Sequence, residues 1–165
     1  MSKLLLVSYD SIIREPLNNL GFIQPSCNSG ILKGASQALI HYYANAWTIV
    51  AIANHREVAA HRQQLAKAIA HAERTLELFP QILCLYLCPD LDGRFCWLIG
   101  RNHDAIAIHQ ADWAAQFVGR FRKPQPGMLL AAMKNHLLGK LTDSNCWYIG
   151  DRWEDEEAAI GAGVQ

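Results

Sequence analysis

The sequence predicts an α/β domain, a Rossmann-like three-layer sandwich with a mainly parallel sheet. Two observations carry this expectation. Four short apolar runs recur along the chain, "KLLLVS", "WTIVAIA", "ILCLYLC" and "NCWYIG". Such continuous runs fit strands covered on both faces, as parallel strands are. Between the runs lie segments whose apolar residues repeat at helical spacing, and strand–helix alternation of this kind builds a parallel sheet.

Each element follows in order. "KLLLVS" is a buried strand that stops at Tyr9-Asp10. Residues 14–30 hold Pro16, Gly21, Pro25 and Gly30 among Asn and Ser, which is loop chemistry. "GASQALIHYYANA" places Ala35, Ala38, Leu39, Tyr42 and Tyr43 on one helical face. "WTIVAIA" is the second strand, and Asn54 opens the turn after it. "EVAAHRQQLAKAIAHAERTLELF" reads as one long helix stopped by Pro80, and "ILCLYLC" as a third strand ended by Pro89. Residues 90–122 read as irregular, with a short helix around "ADWAAQFV". "PGMLLAAMKNHLL" is a helix with Pro126 near its start and Gly139 near its end. "NCWYIG" is the fourth strand, and "EDEEAAIGAG" a final short helix.

The chain has 165 residues, enough for one domain with loop inserts at about 14–30 and 89–122 and a sizeable core. Half of it is apolar and charged residues are sparse, which excludes the disordered class. Basic and acidic residues number 15 each, so no broad nucleic-acid footprint or membrane-surface patch is implied. No apolar run approaches the ~20 residues of a membrane span. The five cysteines are odd in number and follow no secretory signal, which points to a reducing cytoplasm and free thiols.

In an open α/β sheet, ligands sit beyond the C-terminal strand ends. That rule alone groups Ser8–Ser11, Ala53–His55, Cys88–Asp92 and Gly150–Asp155, with Lys123 placed to join them. Asp151 and Asp155 lie four apart between a strand end and a helix start. They suit a hard divalent cation, and equally a capped helix N-terminus. Lys123, just before a helix, can hold a phosphoryl oxygen or lie solvated on the surface.

"KPQPGMLLAAM" followed about 25 residues later by "YIGDRWEDEEAAIGAG" resembles the third and fourth motifs of the haloacid dehalogenase-like (HAD) superfamily. Within it the chain is similar to the small phosphatases of the histidinol-phosphate, heptose-bisphosphate and polynucleotide 3′-phosphatase group. "LLLVSYDSIIREP" falls at the first motif and "WTIVAIANHREVAA" at the second, so the resemblance spans nearly the whole chain.

The resemblance implies a minimal cap on the sandwich and an aspartyl-phosphate mechanism. One Asp attacks phosphorus, a second acts as acid and then base, a Ser/Thr and a Lys hold phosphoryl oxygens, and Mg2+ is bound by carboxylates. Carried over, the general acid falls on Asp10, the lysine on Lys123, and the metal carboxylates on Asp10, Asp151 and Asp155. The nucleophile position falls on Ser8 and the phosphate-binding Ser/Thr on Ala53, beside Asn54; the Gly-Thr after the acid falls on Ser11-Ile12. A serine without a base is a poor nucleophile, and it removes a ligand charge from Mg2+. Ala53 cannot make a phosphate hydrogen bond, worth ~1–3 kcal/mol to a charged partner.

Some relatives of this group carry zinc in a loop before the lysine. Here Cys88, Cys96, His103 and His109 lack the usual spacing, so zinc is not expected. Cys84 and Cys146 read as core thiols. Arg14, Arg56, Lys123, Arg122 and Arg152 can form a small anion-binding rim or be scattered surface cations, and His55 can meet a phosphate or lie solvated in its turn. "GAGVQ" stops where the resemblance implies a fifth core strand, and an open strand edge there predicts a homodimer. The expectation is therefore a catalytically impaired phosphatase-fold protein, with weakly bound Mg2+, that takes a small phosphorylated molecule, a nucleic-acid end or a protein partner. The alternatives are an active Mg2+-dependent phosphomonoesterase and a purely structural or interaction protein.

Overall fold

The computed structural model describes residues 3–10, 12–16, 29–101, 105–137 and 145–164. The chain runs β1 (Lys3–Ser8), β2 (Arg14–Pro16), β3 (Ser29–Ile31), α1 (Ala35–Ala44), β4 (Trp47–Asn54), α2 (Arg56–Ala59), α3 (Leu65–Leu78), β5 (Ile82–Cys88), β6 (Trp97–Ile99), β7 (Ala105–Ala107), α4 (Gly127–His136), β8 (Cys146–Ile149) and α5 (Trp153–Ala162). Two 3-10 turns, Ile108–Gln110 and Asp112–Phe117, lie between β7 and α4.

The main sheet has six strands in the order β7-β6-β5-β4-β1-β8. β1, β4, β5 and β8 are parallel, in register Leu5↔Ile49, Ala51↔Leu85 and Leu6↔Tyr148, while β6 and β7 add antiparallel to the β5 side. The strand period of two decides which layer each side chain joins. Leu4, Leu6, Val50, Ile52, Cys84 and Tyr86 pack on one face with Met128, Leu129 and Ala158 of α4 and α5. Leu5, Val7, Ile49, Ala51 and Leu85 pack on the other with Leu39 of α1 and Ala68, Ala72 and Leu76 of α3. Each fully buried Leu or Ile adds ~1.5–3 kcal/mol of burial. The three-layer α/β expectation holds.

At the start of the sheet, Trp47 of β4 and Trp147 of β8 meet on that second face with ring centroids 4.8 Å apart and planes inclined at 40°. Tyr42 of α1 stands edge-on to both rings.

Three expectations are corrected. The helix read as continuous over 57–79 is two helices, broken at residues 60–64. His61 takes a left-handed φ of 57°, and the Glu57 carbonyl accepts the amides of both Arg62 and Gln63. The Arg62 guanidinium clamps the Glu57 carboxylate at 2.8 and 2.9 Å, which fixes this turn without Gly or Pro. The ends of the 14–30 loop pair antiparallel as β2 and β3; Ser11 and residues 17–28, including Cys27, lie outside the described residues. The stretch 90–122 contributes β6 and β7 to the sheet, and its short helix at 111–118 is a 3-10 turn. His103 and Gly139 also lie outside the described residues. No described helix is long and apolar enough to cross a membrane.

Candidate functional site

The parallel strands deliver Ser8, Asn54 and Cys88 to one end of the sheet, and Ile149 leads into Gly150 there. Lys123 reaches the same end from the segment before α4. Its backbone is held on both sides by one side chain: the Lys123 amide donates to Asn54 Oδ1 at 3.0 Å, and Asn54 Nδ2 donates to the Lys123 carbonyl at 2.9 Å. Asn54 thus positions the lysine.

The Lys123 ammonium is buried, and all three of its protons are used. It donates to Ser8 Oγ at 3.2 Å, to Tyr148 OH at 3.1 Å and to Asp155 Oδ1 at 2.6 Å. Tyr148 OH donates to the same Asp155 oxygen at 2.5 Å. The other oxygen, Oδ2, accepts the amides of Asp151 and Arg152, each at 3.2 Å, closing the first turn of α5. Gly150 is required here, because a Cβ on it would lie 2.3 Å from Asp155 Cβ. Burial by itself raises the Asp155 pKa, but the Lys123 charge, with hydrogen bonds from Lys123, Tyr148 and the Arg152 amide, overrides it and holds the carboxyl below its ordinary value.

Asp10 lies just past β1 and is half-buried. Burial pushes its pKa up, against the attraction of Lys123, His55 and Arg152; the Asp155 carboxylate pushes it further. A carboxyl whose pKa is raised in this way suits a general acid. His55 is the N-cap of α2: its Nδ1 accepts the Val58 amide at 3.3 Å, and its own amide donates to the Cys88 carbonyl at 2.9 Å. Burial lowers the His55 pKa, while Asp10 and Glu57 pull the other way.

The other residues singled out in the sequence take these places. Ser8 stands at the end of β1 and Ala53 is buried in β4, with no polar side-chain atom to offer. Asp151 is exposed, and its recorded bond is through its amide to Asp155. Arg122 donates to the Asp90 carbonyl at 3.0 Å and Arg56 stands 3.9 Å from Glu154, so neither guanidinium is aimed solely at the mouth. The Arg14 side chain lies outside what is described. Of the carboxylates assigned to Mg2+, Asp155 already has both oxygens bonded within the protein and Ser8 adds no charge, which leaves Asp10 and Asp151 to hold the ion. Among the described residues, no group of three or more His, Cys, Asp or Glu side chains is placed to share a metal ion.

Tyr148 was not identified from the sequence. It sits in an apolar strand, and only its burial as a residue with a polar tip hints at a partner.

The comparisons agree with this fold. Residues 120–165, which carry Lys123, Asp151 and Asp155, match the HAD-hydrolase-like family model. The crystal structure of the D,D-heptose 1,7-bisphosphate phosphatase from B. bronchiseptica, complexed with magnesium and phosphate, superposes with a TM-score of 0.69 at 20% identity, over 98% of this chain and 77% of that one. A protein from Mesorhizobium loti described as a HAD-like phosphatase gives a TM-score of 0.69 at 19% identity, over 99% of this chain and 69% of that one. No curated protein matches the chain significantly.

Proposed function

Taking the HAD-like phosphatase fold as the premise, we propose that this chain does not run the aspartyl-phosphate reaction and instead binds a phosphorylated small molecule or nucleic-acid end at the mouth formed by Ser8, Asp10, His55, Lys123 and Arg152. The observation that carries the reading is the Ser8 hydroxyl, 3.2 Å from Lys123 Nζ at the end of β1, where an attacking carboxylate is needed. Around Ser8 Oγ stand an ammonium, the Asp10 carbonyl at 3.5 Å and the Tyr148 hydroxyl. None of these three groups is a general base at neutral pH, which leaves the hydroxyl a poor nucleophile. Loss of a covalent nucleophile costs about 10^6 in rate in a serine protease. Asp10, whose carboxyl pKa burial raises, and the positive charges of Lys123 and Arg152 nevertheless give the mouth groups that recognise a phosphoryl oxygen.

Mg2+ would add Lewis-acid charge stabilisation if Asp10 and Asp151 held it. With Asp155 spent on the protein, its affinity is expected to be weak. The four described cysteines are buried free thiols, which suits a reducing cytoplasm.

A second reading has its own observation. Because every proton of Lys123 already has a protein acceptor, the polar cluster can equally serve only to hold β1, β8 and α5 together in a structural or interaction protein. A phosphatase panel with a Mg2+ titration, run beside thermal shift with phosphate and vanadate, separates the cases. The binding reading expects stabilisation by the anions, reduced in Arg152→Ala, and no turnover. Mg2+-dependent hydrolysis of p-nitrophenyl phosphate or a DNA 3′-phosphate that vanishes in Asp10→Ala would establish an active enzyme. No anion response at all would leave the structural reading.

A further inference from the structure

The hairpin at the far side of the sheet places two thiols opposite each other. β5 and β6 pair antiparallel as Leu85↔Ile99, Tyr86↔Leu98 and Leu87↔Trp97, and the next step of that register is Cys88↔Cys96. Both residues are fully buried, and both belong to the same face of the sheet. Their backbone bonds point away from each other. The Cys88 carbonyl accepts the His55 amide on the β4 side. The Cys96 carbonyl accepts the Ile108 amide, and the Cys96 amide faces His109 Nδ1, on the β7 side. The pair is therefore a non-hydrogen-bonded one, where Cα atoms come to about 4.5 Å and side chains approach most closely. A disulfide needs Cα atoms at about 4.4–6.8 Å.

We propose that Cys88 and Cys96 form a cross-strand disulfide when the chain meets an oxidising small disulfide. One thiol loses its proton and attacks a sulfur of the small disulfide, breaking its S–S bond and releasing one small thiol. The second protein thiol then displaces the other small thiol from the mixed disulfide. Two protein thiols become one S–S bond, and one small disulfide becomes two small thiols.

No other described pair meets the geometric condition. Cys84 lies on the same strand as Cys88, four residues away, or ~13 Å at strand rise. Cys146 lies on β8, with β4 and β1 between it and β5, ~14 Å from Cys88 and ~19 Å from Cys96 at strand spacing. Burial also sets when the reaction runs. It pushes the Cys88 thiol to about 12 and Cys96 well above its ordinary value, so the closed fold keeps both as inert thiols. Oxidation then proceeds while the chain folds or while the hairpin end opens. The bridge would close the loop 89–95, whose Gly93 carbonyl accepts the amides of Gly119 and Phe121 just ahead of Lys123.

The test refolds the full chain in oxidised and reduced glutathione, alkylates remaining thiols, and digests after Lys and Arg. Cleavage at Arg94 separates the peptide bearing Cys84 and Cys88 from the peptide bearing Cys96. The expected result is those two peptides joined, short of two hydrogens, with the link kept in Cys84→Ala and lost in Cys88→Ala, and a raised Tm for the oxidised chain. Recovery of the Cys96 peptide alkylated, its attachment to a peptide bearing Cys27 or Cys146, or a link that survives Cys88→Ala would each overturn the proposal.

Discussion

Lys123 and Asp155 form a buried ion pair with 2.6 Å between ammonium and carboxylate, and the lysine backbone is fixed by Asn54 at the end of β4. Removing one partner of such a pair leaves the other charge buried and uncompensated, at ~3–5 kcal/mol. Lys123→Met is therefore expected to lose stability on that scale in urea denaturation, whereas Lys123→Met with Asp155→Leu loses much less. Equal losses in the single and double variants would show that the pairing itself contributes little.

Tyr148 takes one proton of Lys123 and gives its own to Asp155. An anion entering the site competes with that hydroxyl for the ammonium. Tyr148→Phe keeps the ring and frees the donor, so phosphate or vanadate is expected to bind about tenfold more tightly, the equivalent of ~1.4 kcal/mol. Titration calorimetry checks this, and weaker anion binding in the variant counts against the competition.

Gly150 allows the Asp155 side chain to lie against the chain just beyond β8. Gly150→Ala brings a methyl to 2.3 Å from Asp155 Cβ, so α5 must move or the carboxylate must leave the ammonium. A loss of several degrees in Tm is expected, and a Tm equal to wild type would contradict the packing. Gly161→Ala is a milder control, because its methyl meets only Pro126, at 3.2 Å or more.

His55 caps α2 through an unprotonated Nδ1, and burial keeps its pKa below 6.5. For a base with a depressed folded pKa, stability is complete above the unfolded value and is lost as pH falls from 6.5 toward the folded value. Asp155 acts in a separate window. Its depressed pKa gives stability that is full above 3.8 and lost as pH falls through the lower folded value. Wild type is expected to lose stability as pH falls below 6.5, and His55→Asn, which retains an acceptor, to show a flatter profile there. Identical profiles would remove His55 as the cause.

The parallel core was legible because strands covered on both faces leave continuous apolar runs, as in Leu4–Val7 and Ile82–Leu87. The strand-end rule, reinforced by the motif around Gly150-Asp151, brought Ser8, Asp10, Lys123 and Asp155 to one place. What could not be read depends on long-range geometry. The break at His61 uses a left-handed residue that is neither Gly nor Asn, held by Glu57 and Arg62, so helical periodicity ran straight through it. β6 and β7 have three residues each, too few for a period to register. Asn54 and Asp155 looked like ligand groups, but their partners come from segments 69 and 32 residues distant. No spacing in the sequence reveals that those bonds are already made.

The two indoles that meet across the start of the sheet make the protein its own spectroscopic probe. Trp47 belongs to β4 and Trp147 to β8, which flank β1 on either side. Transition dipoles that close couple, and the resulting paired bands in the far-ultraviolet dichroism persist only while both flanking strands keep their register. Fading of that couplet would announce detachment of the last strand before any loss of helix is visible, with no label attached.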